Sequence, residues 1–512
     1  MSRKHIINGA LLLGMSSLLS RILGVIRDRI FAVQFGALDA QGIHDLDIYF
    51  AAFRIPDFLY NFLVLGTLSL AFVPIFSRYV VGEKREDGFR FINTLFHFLL
   101  LTVGGAAILV FFLAPWLVPL IVPGFNGEKL DVTIQVTRIM LLSPIFFSFS
   151  SLAQSVQTSY RTFFYYSLAP IGYNLSIIVA TFFLSQSLGV YGVAIGVVIG
   201  AFLHFLIQMP ALWKLGYRYR FHFDWKIPEL REMLRLVGPR IIGVSAMQFM
   251  LLVDTSLASV LPKGNLTIYS LAINLVSLPL GIVGISFAVS SFSTLSDLAE
   301  KKKIQTFLLQ LSSLVEWILF LIIPATFGMY ILRNEATAFI LQGGMFSSKD
   351  TFFTARILGF LLLSLPFQSL SPLFSRAFFS WKDAKTPVRV VLTSVLVHIF
   401  LSVFFLRYLQ WGMSGIAVAY SFAEAFQFFL LVLFFRKKFT VSLSSFVPFR
   451  SIFFFIFASL LMSGVIFVTQ LLMSSFFQFL PFVISFFIPV FFAALFYFLF
   501  VRLVFGKKAS FP

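Results

Sequence analysis

The sequence predicts an all-α membrane protein that crosses the bilayer many times. Hydrophobic residues make up 59% of the 512 residues and charged residues only 12%, and the mean hydropathy is +0.95. A soluble domain cannot bury so much apolar surface, whereas a polytopic membrane protein can leave it in lipid. The apolar residues also form about fourteen segments of ~20 residues or more, which is the length that a transmembrane helix needs.

The charged loops predict how the chain is oriented. Basic residues concentrate in alternate loops, for example at Lys301–Lys303 and Arg436–Lys438, while the short loops between them carry acids such as Asp39 and Glu335. The positive-inside rule assigns the basic loops to the cytoplasm, which puts both termini there and requires an even number of spans. The net charge of +18 is therefore a topology signal, and we expect no nucleic-acid partner.

A long-range repeat predicts the domain organisation. The pattern at Tyr49–Arg54 recurs at Tyr269–Asn274, and the pattern at Gly189–Ile195 recurs at Gly412–Val418, in both cases about 220 residues further on. A common offset in unchanged order suggests two parallel six-helix bundles with the substrate between them. The predicted domains are an N-terminal bundle (1–225), a C-terminal bundle (226–440) and two additional transmembrane helices with a cytoplasmic tail (441–512).

Charged residues inside the first two apolar segments predict a binding site. Arg21, Arg27 and Asp28 lie in the first segment, and Asp47 and Arg54 lie in the second. An ionised side chain that faces lipid costs a few kcal/mol or more, so these groups are expected to face a wet cavity. Guanidinium groups offer bidentate donors that suit a phosphate or diphosphate, so we expect a site for an anionic ligand.

A purely structural role is the alternative for these residues. Arg21 with Asp28, and Arg54 with Asp47, would then form buried pairs that fix helix packing. In the second half of the chain, Asn274 takes the position that matches Arg54 in the repeat and is the corresponding candidate for substrate binding.

Two further ionisable residues lie inside apolar segments of the second half. Asp254 and His398 are possible ion-coupling residues, or else hydrogen-bonded groups with no part in transport.

The sequence gives little support for an enzyme. Asp45-Leu46-Asp47 is a DxD triplet, so a polyprenyl-dependent glycosyltransferase is an alternative. However, the outer loops are too short to hold an acceptor substrate. No HExxH, GxSxG or Walker sequence occurs, so ATP is not expected to be the energy source. There is no cysteine, which excludes a thiolate nucleophile. We therefore expect a non-catalytic protein without a cofactor or metal.

Several motifs resemble those of one transporter family. They are Ser20-Arg21-Ile22-Leu23-Gly24-Val25-Ile26-Arg27-Asp28, Asp47-x-x-Phe50-x-Ala52-Phe53-Arg54-Ile55-Pro56, Ala71-Phe72-Val73-Pro74, Ala169-Pro170-x-x-x-Asn174, Gly238-Pro239, Arg376-Ala377-Phe378 and Lys385-Thr386-Pro387-Val388. Together they resemble the lipid II flippases, the MurJ or MviN family, within the superfamily of multidrug, oligosaccharide-lipid and polysaccharide exporters. The resemblance runs from residue 20 to about residue 435.

The resemblance implies a function and a location. It implies transport of a lipid-linked anionic glycan, undecaprenyl-diphosphate disaccharide-pentapeptide, from the cytoplasmic to the outer leaflet of the bacterial inner membrane for peptidoglycan synthesis. The expected partners are this substrate and the membrane lipids. A flippase for another polyprenyl-linked glycan and a multidrug exporter remain alternatives.

The resemblance also implies site residues. The family's cavity arginines match Arg21 and Arg27, with Asp28 beside them, and its second helix matches at Asp47 and Arg54.

Other family positions differ in this chain. The family's Arg and Glu further along the second helix fall at Tyr60 or Asn61 and at Leu65, and its eighth-helix Arg falls at Asn274. Asp254 matches an acid of the sodium site found in some members, but the helix-eleven positions of that site hold His398 and Ser402.

Overall fold

The computed structural model describes residues 3–65, 68–82, 84–476 and 482–505, and these form helices joined by short turns. That part of the chain contains no β-strand; an antiparallel bridge between Gly343 and Phe346 closes a tight turn. The predicted all-α fold is confirmed.

The α-helices are numbered in chain order. The first eleven are α1 (Arg3–Phe35), α2 (Leu46–Tyr60), α3 (Leu68–Val81), α4 (Arg85–Leu99), α5 (Gly105–Ile121), α6 (Gly127–Met140), α7 (Leu142–Ser159), α8 (Phe164–Leu188), α9 (Val190–Leu206), α10 (Met209–Lys214) and α11 (Pro228–Ser259). The others are α12 (Asn265–Pro279), α13 (Ser286–Glu300), α14 (Ile304–Ile331), α15 (Arg333–Leu341), α16 (Ser348–Leu362), α17 (Leu365–Ser380), α18 (Lys385–Arg407), α19 (Gly412–Phe439), α20 (Phe449–Phe476) and α21 (Phe482–Phe505).

Membrane-spanning helices dominate the described chain. Ten helical stretches of the described chain, four of which join two consecutive numbered helices, are long and apolar enough to cross a bilayer. An eleventh span results if α16 and α17, bent by 43°, count as one. Pro366 lies in the first turn of α17, where a proline is tolerated because its missing N–H has no helical partner. The multi-pass architecture is confirmed, and the count of fourteen spans stays a prediction.

The described chain divides into two compact units. Unit 1 comprises residues 1–267 together with 343–346, and unit 2 comprises 268–342 together with 347–512. In unit 1, α1 packs along α8, α8 along α9, and α2 along α6. The domain boundary predicted after residue 225 follows the sequence repeat, whereas the contacts of α11 group it with unit 1, so the predicted domain limits stay a prediction.

The two halves of the chain share irregular backbone features. A π-helical turn follows α2 at Asn61–Leu65, and another follows α12 at Leu280–Ile285. Gly189, just before α9, and Gly412, at the start of α19, both have positive φ, of 54° and 56°. These pairs are separated by the same interval of about 220 residues as the sequence repeat, and they support an internal duplication.

In unit 2 the two C-terminal helices pack against α14. The Tyr497 hydroxyl on α21 donates to the Phe320 carbonyl at 2.9 Å, and the Ser451 hydroxyl on α20 donates to the Glu316 carboxylate at 2.5 Å. Glu316, an acid inside an apolar helix, is thus held by a hydroxyl of the neighbouring helix.

Candidate functional site

Arg27 is held between α1 and α8. Its Nε and Nη2 atoms donate to the neighbouring Asp28 carboxylate at 3.1 and 2.9 Å, and its Nη1 donates to Oδ1 of Asn174 at 3.3 Å. The guanidinium also lies 5.7 Å from the centre of the Phe31 ring. Asp28 is therefore paired with Arg27 in the structure, and the amide of Asn174 fixes the direction of the guanidinium.

Asn174 joins α8 to α1 through its other amide atom. Its Nδ2 donates to the Ser20 hydroxyl at 3.2 Å and to the Pro170 carbonyl at 3.0 Å. One side chain thus contacts both ends of the segment from Ser20 to Arg27. In the sequence, Asn174 stands out only as part of the motif Ala169-Pro170-x-x-x-Asn174, whose spacing places Pro170 and Asn174 on one face of a helix.

Arg54 on α2 contacts α11. Its Nε donates to Oγ1 of Thr255 at 2.9 Å, and the Thr255 hydroxyl donates in turn to the Leu251 carbonyl at 2.8 Å. Thr255 directly follows Asp254, which is buried in the same helix. The acceptor of this bond is a neutral hydroxyl, so the contact orients the Arg54 guanidinium without forming an ion pair.

Asp57 is an acid that the sequence analysis left out. It lies one helical turn after Arg54, within electrostatic range of that guanidinium, and it accepts hydrogen bonds from Asn61 at 2.9 Å and from Gln248. Residues three apart on a helix share a face, which was the available signal. Asp57 offsets part of the positive charge that the arginines alone would give.

A cavity of about 200 Å³ lies between α2, α7 and α8. Its polar lining includes Asp57, Tyr60 and Ser143, and the Tyr60 and Ser151 hydroxyls are 2.8 Å apart. The family's second-helix Arg falls at Tyr60 or Asn61, and at Tyr60 this chain offers a hydroxyl in place of a guanidinium.

Arg21 lines a second cavity, of about 370 Å³, between α1, α7 and α8. Hydroxyl and amide side chains dominate its walls. They are Ser16, Ser17, Ser20, Gln154, Tyr166 and Ser167. A half-buried guanidinium among so many hydrogen-bonding groups is in a polar setting within an otherwise apolar bundle, as expected for an inward-facing charge.

Asp47 has a different environment from the three arginines. Its Oδ1 accepts from the Thr267 amide at 2.8 Å and hydroxyl at 2.7 Å, and its Oδ2 accepts from the Gly264 amide at 2.8 Å and from Lys129 at 3.1 Å. Gly264 has a φ of +81°, and a Cβ there would lie 2.6 Å from the Ala37 carbonyl oxygen. The buried carboxylate therefore joins the start of α2 to the turn before α12, which is a positioning role; its predicted substrate contact stays a prediction.

Asp45 shares Lys129 with Asp47. The Lys129 ammonium lies 2.7 Å from the Asp45 carboxylate and 3.1 Å from that of Asp47. Burial and the nearby Asp47 charge raise the pKa of Asp45 to about 6, although Lys129 acts in the opposite direction. The structural pairing expected from the sequence linked Asp47 to Arg54, whereas the structure pairs Asp47 with Lys129.

Asn274 and His398 lie in unit 2. Asn274 is half-buried in α12, and His398 is fully buried in α18 with its Nε2 atom 3.4 Å from the Ser402 hydroxyl. The Tyr420 ring of α19 packs edge-on against the imidazole at a centroid distance of 5.9 Å. Their predicted roles in substrate binding and ion coupling, like that of Asp254, stay predictions.

These features define a class of protein. The chain is a multi-pass helical membrane protein whose first unit places Arg21 in a hydroxyl-lined cavity and holds Arg27 and Arg54 by hydrogen bonds within the helix bundle. Such an arrangement is typical of a transporter with a polar or charged substrate.

Comparisons with known proteins identify the family. The model described as "Lipid II flippase MurJ" matches residues 42–492. The probable lipid II flippase MurJ of Buchnera aphidicola subsp. Acyrthosiphon pisum is 29% identical over 475 residues, covering 90% of this chain and 89% of the relative. That of Borreliella burgdorferi is 31% identical over 427 residues, covering 82% and 81%. The chain belongs to the lipid II flippase MurJ family.

Solved structures agree with this assignment. A lipid II flippase MurJ in an inward closed conformation matches with a TM-score of 0.79 and 26% identity, covering 96% of this chain and 99% of that one. An inward-facing multidrug resistance MATE family transporter of the MOP superfamily has a TM-score of 0.69 at 15% identity, covering 82% and 94%. The second match shows the shared fold alone.

Proposed function

We propose that this protein flips lipid II, the undecaprenyl-diphosphate disaccharide-pentapeptide, from the cytoplasmic to the outer leaflet of the bacterial inner membrane by alternating access. The single observation that carries the proposal is the family match over residues 42–492. Both termini are cytoplasmic in this proposal, as the loop charges predict.

The arginines of unit 1 bind the diphosphate. Arg27 is oriented by its pair with Asp28 and by the Asn174 amide. Arg54 is oriented by the Thr255 hydroxyl, and Arg21 lines the hydroxyl-rich cavity. Planar guanidinium groups donate two parallel hydrogen bonds to a phosphate, so pre-oriented arginines suit this ligand. Asp28 and Asp57 offset part of the positive charge of the site, so that the bound diphosphate can still dissociate. In unit 2, Asn274 is a further candidate for substrate binding.

Membrane potential drives the cycle. The energy of a charge moved through the potential is about 2.3 kcal/mol per 100 mV. An inside-negative potential favours outward movement of the anionic diphosphate and inward return of a basic empty site. Asp254 and His398 are the candidates for an additional coupling ion.

The protein acts without catalysis, ATP or a nucleic-acid partner. The DxD triplet offers no accessible catalytic acid, because Asp45 and Asp47 are only 2% and 3% exposed and both contact Lys129. The burial of this pair favours transport over glycosyl transfer.

The test is depletion of the protein in its host, followed by identification of the lipid-linked precursor that accumulates on the cytoplasmic face. Accumulated lipid II supports the proposal; accumulation of a different polyprenyl-linked glycan, or drug sensitivity with normal lipid II export, contradicts it. Complementation with Arg27→Ala or Arg54→Ala should fail. Arg29→Ala is the matched control, because Arg29 is exposed on the same helix as Arg27.

A further inference from the structure

Unit 2 contains a basic cavity away from the residues described so far. It has a volume of about 140 Å³ and lies where α14 ends, α15 begins and α16 passes beside them. Its walls include Arg333, Asn334, Arg356 and Gly359, with the rings of Tyr330 and Phe352 beside them. It sits at the opposite end of α14 from Lys301–Lys303, which is the outer end in the topology that the loop charges predict.

The two guanidiniums of this cavity lack a carboxylate partner in its walls. No lining residue is acidic, and none of the ion pairs found among the described residues includes Arg333 or Arg356. Arg333 donates from Nη1 to the Tyr330 carbonyl at 2.7 Å, and its guanidinium lies 4.9 Å from the centre of the Tyr330 ring. Two like charges that line one small space repel each other, so an anion between them would be stabilised.

Gly359 makes room for this arrangement. A Cβ at this position would lie 3.1 Å from Cδ and 3.4 Å from Nε of Arg333, and 3.6 Å from the Tyr330 ring. A Cβ alone would therefore crowd the Arg333 side chain by a few tenths of an ångström, and a bulkier side chain would extend into the space beside it. The space beside the guanidinium exists because α16 carries no side chain there.

The surroundings of the cavity indicate the class of ligand. Tyr330 and Phe352 are 43% and 58% exposed on a membrane-spanning chain, and aromatic rings are enriched where a transmembrane helix leaves the hydrocarbon for the headgroup layer. The cavity is smaller than the ~300–1,000 Å³ of pockets that enclose a whole drug-sized ligand. A single phosphate group fits these limits, with its lipid chains left in the bilayer.

We propose that Arg333, Asn334 and Arg356 bind the phosphate group of a membrane lipid at this end of unit 2. Arg356 and Arg333 donate charge-assisted hydrogen bonds to the phosphate oxygens, and the Asn334 amide adds a neutral donor. The phosphate belongs either to an anionic phospholipid or to a polyprenyl diphosphate on the outer leaflet. The site does not depend on which substrate the protein flips.

The test uses the full chain, purified in detergent, with four probes: phosphatidylglycerol, undecaprenyl diphosphate, inorganic phosphate and dioleoylglycerol, which lacks phosphate. Native mass spectrometry counts bound lipid, and the shift of the melting temperature measures affinity. Arg356→Gln should weaken binding of the phosphorylated lipid about tenfold, the loss expected for a charge-assisted hydrogen bond. Lys349→Gln is the matched control, because it removes an exposed charge from the same helix outside the cavity.

A second variant tests the cavity without changing its charge. Gly359→Leu should fill the cavity and weaken binding to a similar extent; a wild-type melting temperature without lipid shows that either variant is folded. Preferential binding of phosphatidylglycerol assigns the site to a phospholipid, and preferential binding of undecaprenyl diphosphate assigns it to the polyprenyl lipid. Equal binding of dioleoylglycerol, binding of inorganic phosphate alone, or unchanged lipid binding by folded Arg356→Gln and Gly359→Leu overturns the proposal.

Discussion

Arg54 on α2 donates a hydrogen bond from Nε to Oγ1 of Thr255 on α11, at 2.9 Å. The acceptor is neutral, so the bond fixes the direction of the guanidinium without cancelling its charge. Asp57 lies within electrostatic range of Arg54. Its carboxylate also accepts hydrogen bonds from Asn61 and Gln248. Arg54 is thus oriented by a hydroxyl of α11 and lies within electrostatic range of an acid that accepts hydrogen bonds from other donors.

This relationship predicts different effects for the two partners. Arg54→Ala should lower the rate of lipid II flipping in reconstituted vesicles at least tenfold, because charge-assisted hydrogen bonds contribute about 1.5–3 kcal/mol each. Thr255→Val, which keeps the shape of the side chain but removes its hydroxyl, should lower the rate only about two- to fivefold, because the Arg54 guanidinium itself remains. Equal losses in the two variants would show that the hydroxyl matters for more than orientation.

Asp57→Asn tests how the site releases its ligand. Removal of this carboxylate leaves the Arg54 charge less compensated, so we expect tighter binding of undecaprenyl diphosphate and slower turnover. The measurements are affinity by isothermal titration in detergent and flipping rate in vesicles. Glu128→Gln, at an exposed position of α6, is the matched control for loss of one acid. Weaker binding in Asp57→Asn would instead assign Asp57 to direct ligand recognition.

The contact between Arg27 and Asn174 predicts a positioning effect. Asn174→Leu removes the amide that holds Nη1 of Arg27 and the bonds to Ser20 and Pro170. The guanidinium keeps its pair with Asp28, so flipping should fall about tenfold while Arg27→Ala abolishes it. Asn174→Gln retains an amide and is expected to recover part of the rate. Wild-type flipping by Asn174→Leu would mean that Asp28 alone orients Arg27.

How far the sequence predicts the structure depends on the kind of contact. The helical class and the polar surroundings of Arg21 follow from composition and from the cost of charge in lipid, which are local properties. The pairing of Asp47 with Lys129 does not, because it joins residues that are 82 positions apart through the packing of α2 on α6. Arg54 was the nearer basic residue along the chain, and the fold directs it to Thr255 instead.

Small side chains were harder to predict than charged ones. Three uncharged residues matter only because each contacts an arginine that is distant in the sequence. They are Asn174, Thr255 and Gly359. Asp57 is different, because its spacing from Arg54 on α2 was visible in the sequence. A systematic search of residues three and four positions from each buried arginine would have found it.

The acidic pair at the start of α2 predicts a contrast in stability and in its dependence on pH. Asp47→Asn places an amide donor against the Gly264 amide and Lys129, so the free energy of unfolding should fall by on the order of 3 kcal/mol. Asp45→Asn should cost less at neutral pH, because burial raises the pKa of this carboxyl from 3.8 to about 6 and its ionised form is disfavoured in the fold.

Because the pKa of Asp45 is raised in the fold, the stability of the protein should fall as this carboxyl ionises. The folded protein keeps the Asp45 proton to higher pH than the unfolded chain, so this group stabilises the fold below pH 4 and loses that contribution as the pH rises towards 6. Melting temperatures of the wild type and of Asp45→Asn, measured from pH 4 to pH 7 in detergent, should therefore differ in slope, with the variant flatter over this interval. Parallel curves would show that Lys129 holds Asp45 ionised throughout, and that its charge is compensated by the ammonium alone.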